Sequence, residues 1–306
     1  MTLSSRLQRW WFAPVPAERL AMLRVLTGTF ALIYLIAQAA PLLGYATFPD
    51  HRFAPVGVVR LLTEPLAVWI HYVLFGLTLS SCVLFAVGAW FRISGPVFAS
   101  CLFWLLSYRN SWGLVFHTEN LLVLHVLILG LAPAADVWSI DAKPPSRNTS
   151  AIGRHGWAIR VLCFVTVIAY FLAGVAKLKS IGFAWADGEV LRTHVAYDAL
   201  RKLKLGSPSS PVGAWLVSYP WLFTPLGMLT MVLELGAPAA LLSGRLGRFW
   251  CYGIWGFHLG VWLLMFILFP YAISGVSFAP FFEVERIRDW RWLRRLWPRP
   301  AAPVGD

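Results

Sequence analysis

The feature that most restricts this chain is a set of long stretches without a single Asp, Glu, Lys or Arg. Residues 25–49 and 65–91 are uncharged, and each is long enough for one helix across hydrocarbon, which takes roughly 20 residues. The uncharged runs 93–108, 120–135 and 161–176 are shorter and need neighbouring turns to reach across. In 205–233, Pro208, Pro211, Pro220 and Pro225 make the first half an irregular lead-in, so a helix is expected from near Trp221 to Ser243-Gly244. The longest run, 249–282, contains Pro270, which predicts one full helix followed by a shorter or re-entrant one. The expected fold is all-α, a polytopic integral membrane bundle of seven or eight transmembrane helices.

Composition excludes the alternatives. Of 306 residues, 58% are hydrophobic and 13% charged, against about a quarter charged in ordinary soluble domains. A disordered chain, a water-soluble enzyme and a disulfide-stapled secreted module are ruled out. The net charge of +12 is split up by apolar runs, leaving no continuous basic face for nucleic acid. The four cysteines (Cys82, Cys101, Cys163, Cys251) fall inside expected spans without paired spacing, so no disulfide or zinc site follows.

Loop charge sets the orientation. With the N-terminus in the cytoplasm, Arg6, Arg9, Arg19, Arg92, Lys143, Arg147, Arg154, Arg245 and Arg248 lie inside. An inside position for the basic tail, Arg286 to Arg299, then favours eight crossings and a cytoplasmic C-terminus. The outer 177–220 connection breaks the rule, with Lys177, Lys179, Arg192, Arg201, Lys202 and Lys204. Such a loop is either folded into a site or the topology is reversed. The chain divides into a basic, aromatic segment (1–19), a transmembrane domain (20–283) and an Arg/Trp-rich tail (284–306). Trp290, Trp292 and Trp297 suit that tail to the lipid interface. Ala37-Gln38-Ala39 resembles a leader cleavage site, but the charged region before it is too long, so the first helix is expected to be retained. Asn148-Thr149-Ser150 matches a glycosylation sequon on a loop placed inside.

Ionisable groups at membrane depth cost about 2.5–3.5 kcal/mol each on insertion scales and so need a reason. Lys177 ends the fifth apolar run. It is either a lysine snorkelling to the interface or an amine held in a partly apolar cavity, where desolvation frees it to act as a base. Ala173, Gly174 and Ala176 would let another helix or a flat ligand approach, and Tyr170 lies two turns earlier on the same face. Glu234, deep in a span, belongs to an interior ion pair or to a site. His258, mid-helix, suits an interhelical hydrogen bond, and His125 a packed histidine. His117, Glu119 and Asn120 open the fourth span. Capping explains Thr118 and Asn120 but not His117. His117 and His125 lack chelating spacing, so no metal is expected.

The motif Tyr170-Phe171-Leu172-Ala173-Gly174-Val175-Ala176-Lys177-Leu178, followed by Trp185-Ala186-Asp187-Gly188, resembles the membrane core of the vitamin K-dependent γ-carboxylase. That core is also found as the bacterial horizontally transferred transmembrane (HTTM) domain. Val137-Trp138-Ser139-Ile140-Asp141, Glu234 and Phe257-His258 follow the same order. The resemblance implies that Lys177 is the base that deprotonates reduced vitamin K or menaquinol. The anion then reacts with O2, and the strong base so formed removes a glutamate γ-proton before CO2 adds. It implies a supporting role for His117 and a binding role for Tyr170, Trp185, Glu234 and His258. It also implies a multi-pass protein of the bacterial cytoplasmic membrane, with the bilayer, a membrane quinol and a small secreted peptide as partners.

The departures point elsewhere. The carboxylase has a large soluble portion that grips its peptide, whereas an Arg/Trp-rich tail follows the last span here. Short HTTM proteins also resemble a membrane factor that helps mature a bacterial toxin peptide, which implies a non-catalytic partner in peptide maturation or export. A third reading makes Lys177 and Glu234 a structural ion pair.

Overall fold

In lipid an apolar segment has only its own backbone to satisfy its N–H and C=O groups, which forces helix. The computed structural model describes Gln8, residues 10–142 and residues 154–289. Among these the regular elements are all helical: α1 (Ala17–Ala37), α2 (Val68–Val87), α3 (Phe91–Arg109), α4 (Asn120–Leu131), α5 (Gly156–Ile181), α6 (Glu189–Lys204), α7 (Phe223–Leu235) and α8 (Gly244–Met265), with short helical turns between them. Four stretches are long and apolar enough to cross a membrane: α1, α2, α3 and the stretch Gly156–Trp185 that contains α5. Asn120–Leu131 and Pro220–Leu235 are shorter apolar helices. The protein is therefore a multi-pass membrane protein, all-helical among the described residues. The sequon and the tryptophans of the C-terminal tail lie outside the described residues.

Small residues set the closest helix contacts, as expected where no hydrophobic force separates helix from lipid. A Cβ on Gly95 would stand 2.6 Å from the Gly130 carbonyl oxygen, and one on Gly130 would stand 2.7 Å from that of Gly95, so α3 and α4 meet backbone to backbone. Gly28 of α1 fits against Ala86 of α2 in the same way, at 2.9 Å. One core joins α1 to α5 with the segment around Tyr271 to Val284. A second packs α5 and α8 around Val167, Trp250 and Phe278, so α5 serves both.

The Val137–Asp141 segment has a structural role. Arg24 of α1, fully buried, donates to the Trp138 carbonyl and lies 5.8 Å from the Phe91 ring. Asp141 accepts from the Phe91 amide at 2.8 Å, tying this segment to the start of α3.

Two elements differ from the sequence-based expectation. The α-helix expected to run to Ser243 ends at Leu235, and a 3-10 turn, Ala237–Leu241, replaces its last turn. Pro238 lacks the amide an α-helix would need there, and Ser243 instead caps α8 by accepting from the Leu246 amide. The last apolar run does break, at Phe266 (φ 48°). It continues as a short helix, Pro270–Ile273, and a 3-10 turn, Val276–Phe281. This leg reaches the start of α1, where Arg19 grips Glu285 through Nε (2.9 Å) and Nη2 (2.6 Å). The two ends of the described bundle therefore lie on one side.

Candidate functional site at the end of α5

α5 begins at the Arg19 end, where Gly156 packs on the Ala13 carbonyl, and its final turns reach the opposite end of the bundle. Tyr170, Gly174 and Lys177, spaced four and three residues apart, share one face. What approaches at Gly174 is a helix: a Cβ there would stand 3.0 Å from the Glu234 Cβ and from Leu235 of α7. The absent side chain makes room for Glu234, whose carboxylate receives the Lys177 Nζ at 2.6 Å on both oxygens. Glu234 is 3% exposed and the Lys177 side chain 20%, so the pair is buried from the carboxylate side and open at the amine.

The amine opens onto an open-sided pocket of about 350 Å³. Lys177, Ser180 and Ile181 of α5 line it, with Trp185 from the following turn and Val190 and His194 from α6. Lys177 Nζ lies 5.1 Å from the Trp185 ring centroid, a cation–π contact. The His194 ring lies 5.6 Å from Trp185. The Trp185-Ala186-Asp187-Gly188 turn is pinned to the start of α7. Gly188 takes φ +87°, and its Cβ position lies 2.2 Å from the Phe223 carbonyl carbon. Gly227 faces the Trp185 carbonyl oxygen, and Thr224 donates its hydroxyl to the Asp187 carbonyl at 2.6 Å. The two halves of the motif are thus one unit: a lysine on α5 and an aromatic wall held over it.

Four of the six basic residues of the 177–220 connection are paired, while Lys179 and Lys204 are exposed. Lys177 pairs with Glu234, Arg192 with Glu189, and both Arg201 and Lys202 with Asp198. Lys202 also donates to the Met265 carbonyl at the end of α8, clamping α6 onto it.

Tyr170, His258 and His117 form a second cluster, beside the cavity rather than in its lining. Tyr170 Oη and His258 Nε2 are 2.7 Å apart, and Trp250 meets the Tyr170 ring edge-on at 5.4 Å. Phe269 lies tilted against both histidines, 4.8 Å from His258 and 5.7 Å from His117. The structure therefore brings together Lys177, Glu234 and Trp185, and separately Tyr170, His258 and His117. His125 is a packed histidine, held by Tyr271 Oη (2.7 Å) and Thr166 Oγ1 (3.0 Å). Thr118 does not cap α4. Its hydroxyl goes to Glu119, which pairs with Arg109 at 2.9 Å.

His194 and Ser180 are cavity residues that sequence reasoning missed. His194 sits on a polar helix whose only local signal is its charge. It meets Trp185 because α6 folds back over the end of α5.

Among the described residues, no group of three or more His, Cys, Asp or Glu side chains could hold a metal ion. The family model described as the HTTM domain matches residues 12–285. Neither the curated proteins nor the solved structures contain a match.

Proposed function

The chain belongs to the HTTM domain family, and from that premise we propose that it is a membrane enzyme acting on a flat, membrane-soluble quinol, with Lys177 as the base. The observation that carries this reading is the asymmetry of the Lys177–Glu234 pair. The carboxylate is buried, while the amine faces an open pocket walled by Trp185. The open-sided pocket, about 350 Å³, offers apolar side chains with the Lys177 amine, the Ser180 hydroxyl and His194 beside them, a lining compatible with an aromatic ring bearing hydroxyls. Glu234 holds the amine in place. Transfer of an ammonium proton to Glu234 leaves a neutral amine beside a neutral carboxylic acid; that amine takes the O–H proton, and the electron pair stays on the quinol oxygen. Reduced vitamin K or menaquinol, with O2 and then CO2 as co-reactants, is the reaction class that goes with this base.

On the same reading the return leg after α8 is the eighth crossing, both termini face the cytoplasm, and the membrane is the bacterial cytoplasmic membrane. The exposed apolar face of α6, with Tyr197, Leu200 and Leu203, favours a second reading: a docking partner for a small secreted peptide during its maturation or export.

The deciding experiment is quinol epoxidation in lipid nanodiscs, comparing wild type with Lys177→Arg. Arginine keeps the pairing charge but cannot release its proton. Oxygen-dependent epoxide from wild type, lost in a folded Lys177→Arg, is the expected result. A folded wild type that forms no epoxide from phylloquinol or menaquinol sinks the enzyme reading and leaves the peptide partner leading.

A further inference from the structure

A base that takes a proton from its substrate has to pass it on before the next turnover. Of the groups facing the Lys177 amine, Glu234 is 3% exposed, with both oxygens already on Nζ, so it has no route of its own to water. Trp185 offers a ring face and an N–H, neither of which accepts a proton. Ser180 offers a hydroxyl, a poor proton acceptor near neutrality. The remaining ionisable group in the lining is His194. It lines the pocket, has its ring 5.6 Å from that of Trp185, and is exposed at the surface of the bundle. The charged groups near it on α6 are engaged elsewhere: Glu189 with Arg192, and Asp198 with Arg201 and Lys202.

We propose that His194 is the proton exit of the Lys177 cavity, a second acid–base residue that resets the amine after each deprotonation. This rests on the reading of Lys177 as the base. The step balances without any redox partner. The Lys177 ammonium gives up one proton through cavity water, its N–H bond pair stays on Nζ, and the neutral imidazole of His194 binds the proton. The imidazolium then releases it to bulk water at the rim. Imidazole suits the task because the neutral ring accepts a proton on one nitrogen and the charged ring can give one up from either.

The test compares wild type, His194→Ala and Lys177→Arg in nanodiscs, with menaquinol as substrate and free imidazole added. The expected result for His194→Ala is a kcat lowered about 100-fold, within the range for a positioned proton-transfer group, with KM unchanged. Free imidazole restores that rate saturably, more strongly as pH rises, and does nothing for Lys177→Arg. A His194→Ala variant with wild-type kcat and pH profile overturns the proposal, as does one whose defect is confined to KM or does not respond to imidazole. Those outcomes leave Lys177 as the base. A wild type that does not turn over any quinol defeats the base reading itself and this inference with it.

Discussion

The Lys177 amine sits 2.6 Å from both carboxylate oxygens of Glu234, across the gap left by Gly174. Removing either partner leaves a charge in a site built for two. Lys177→Ala and Glu234→Ala are each expected to destabilise the folded bundle by about 3–5 kcal/mol, while the double variant loses less than the sum. Unfolding midpoints of all three in one detergent would show this. Strict additivity would mean that the pair is not coupled.

Gly188 and Gly206 both adopt positive φ, at +87° and +68°, but only Gly188 is walled in, by Phe223 and Thr224. Alanine at Gly206 meets open space and should cost about 1 kcal/mol of backbone strain. Alanine at Gly188 adds a clash with backbone that cannot yield, and should cost about 1–3 kcal/mol more. It should also displace Trp185 from Lys177. Equal losses at the two sites, read from thermal unfolding, would refute the view that Gly188 positions the cavity wall.

Tyr170 satisfies one nitrogen of His258, which is 5% exposed. Tyr170→Phe removes that partner inside the bundle and should cost about 1–3 kcal/mol. Adding His258→Phe removes the stranded group as well, so the double variant should regain much of the loss. A double variant less stable than Tyr170→Phe alone would show that the histidine is held by something other than this bond.

Arg19 and Glu285 meet at one end of the bundle, so residues flanking them face the same side of the membrane. Cysteines at Pro14 and Arg286, both exposed, should react with an impermeant maleimide from one side. Cysteines at Leu61 and Phe183, 78% and 74% exposed, should react from the other. Reaction of Pro14→Cys and Arg286→Cys from opposite sides would rule out the return leg as a full crossing.

Much of this was legible in one dimension. Uncharged, continuously apolar runs long enough to cross a bilayer as helix fixed the membrane class and the first helices from 25–49 and 65–91, while the shorter 161–176 needed its neighbouring turns. Lys177 and Glu234 stood out because charge is costly at that depth, and Pro270 marked the break in the last run. Which polar residues would meet was not legible. Lys177 and Glu234 are 57 positions apart and Tyr170 and His258 are 88 apart, and each pairing depends on how α5, α7 and α8 pack. Sequence spacing placed Tyr170 on the face of Lys177, yet its hydroxyl turns to α8 while the amine turns to α7. His194 and the engaged charges of the 177–204 segment were equally hidden, since only the fold of α6 over the end of α5 decides what a polar helix faces. The sequence by itself determined that the chain spans a membrane and which groups are costly there. The tertiary structure decided which of those groups are paired and which is left open to a cavity, because a buried charge is settled by its neighbours in space.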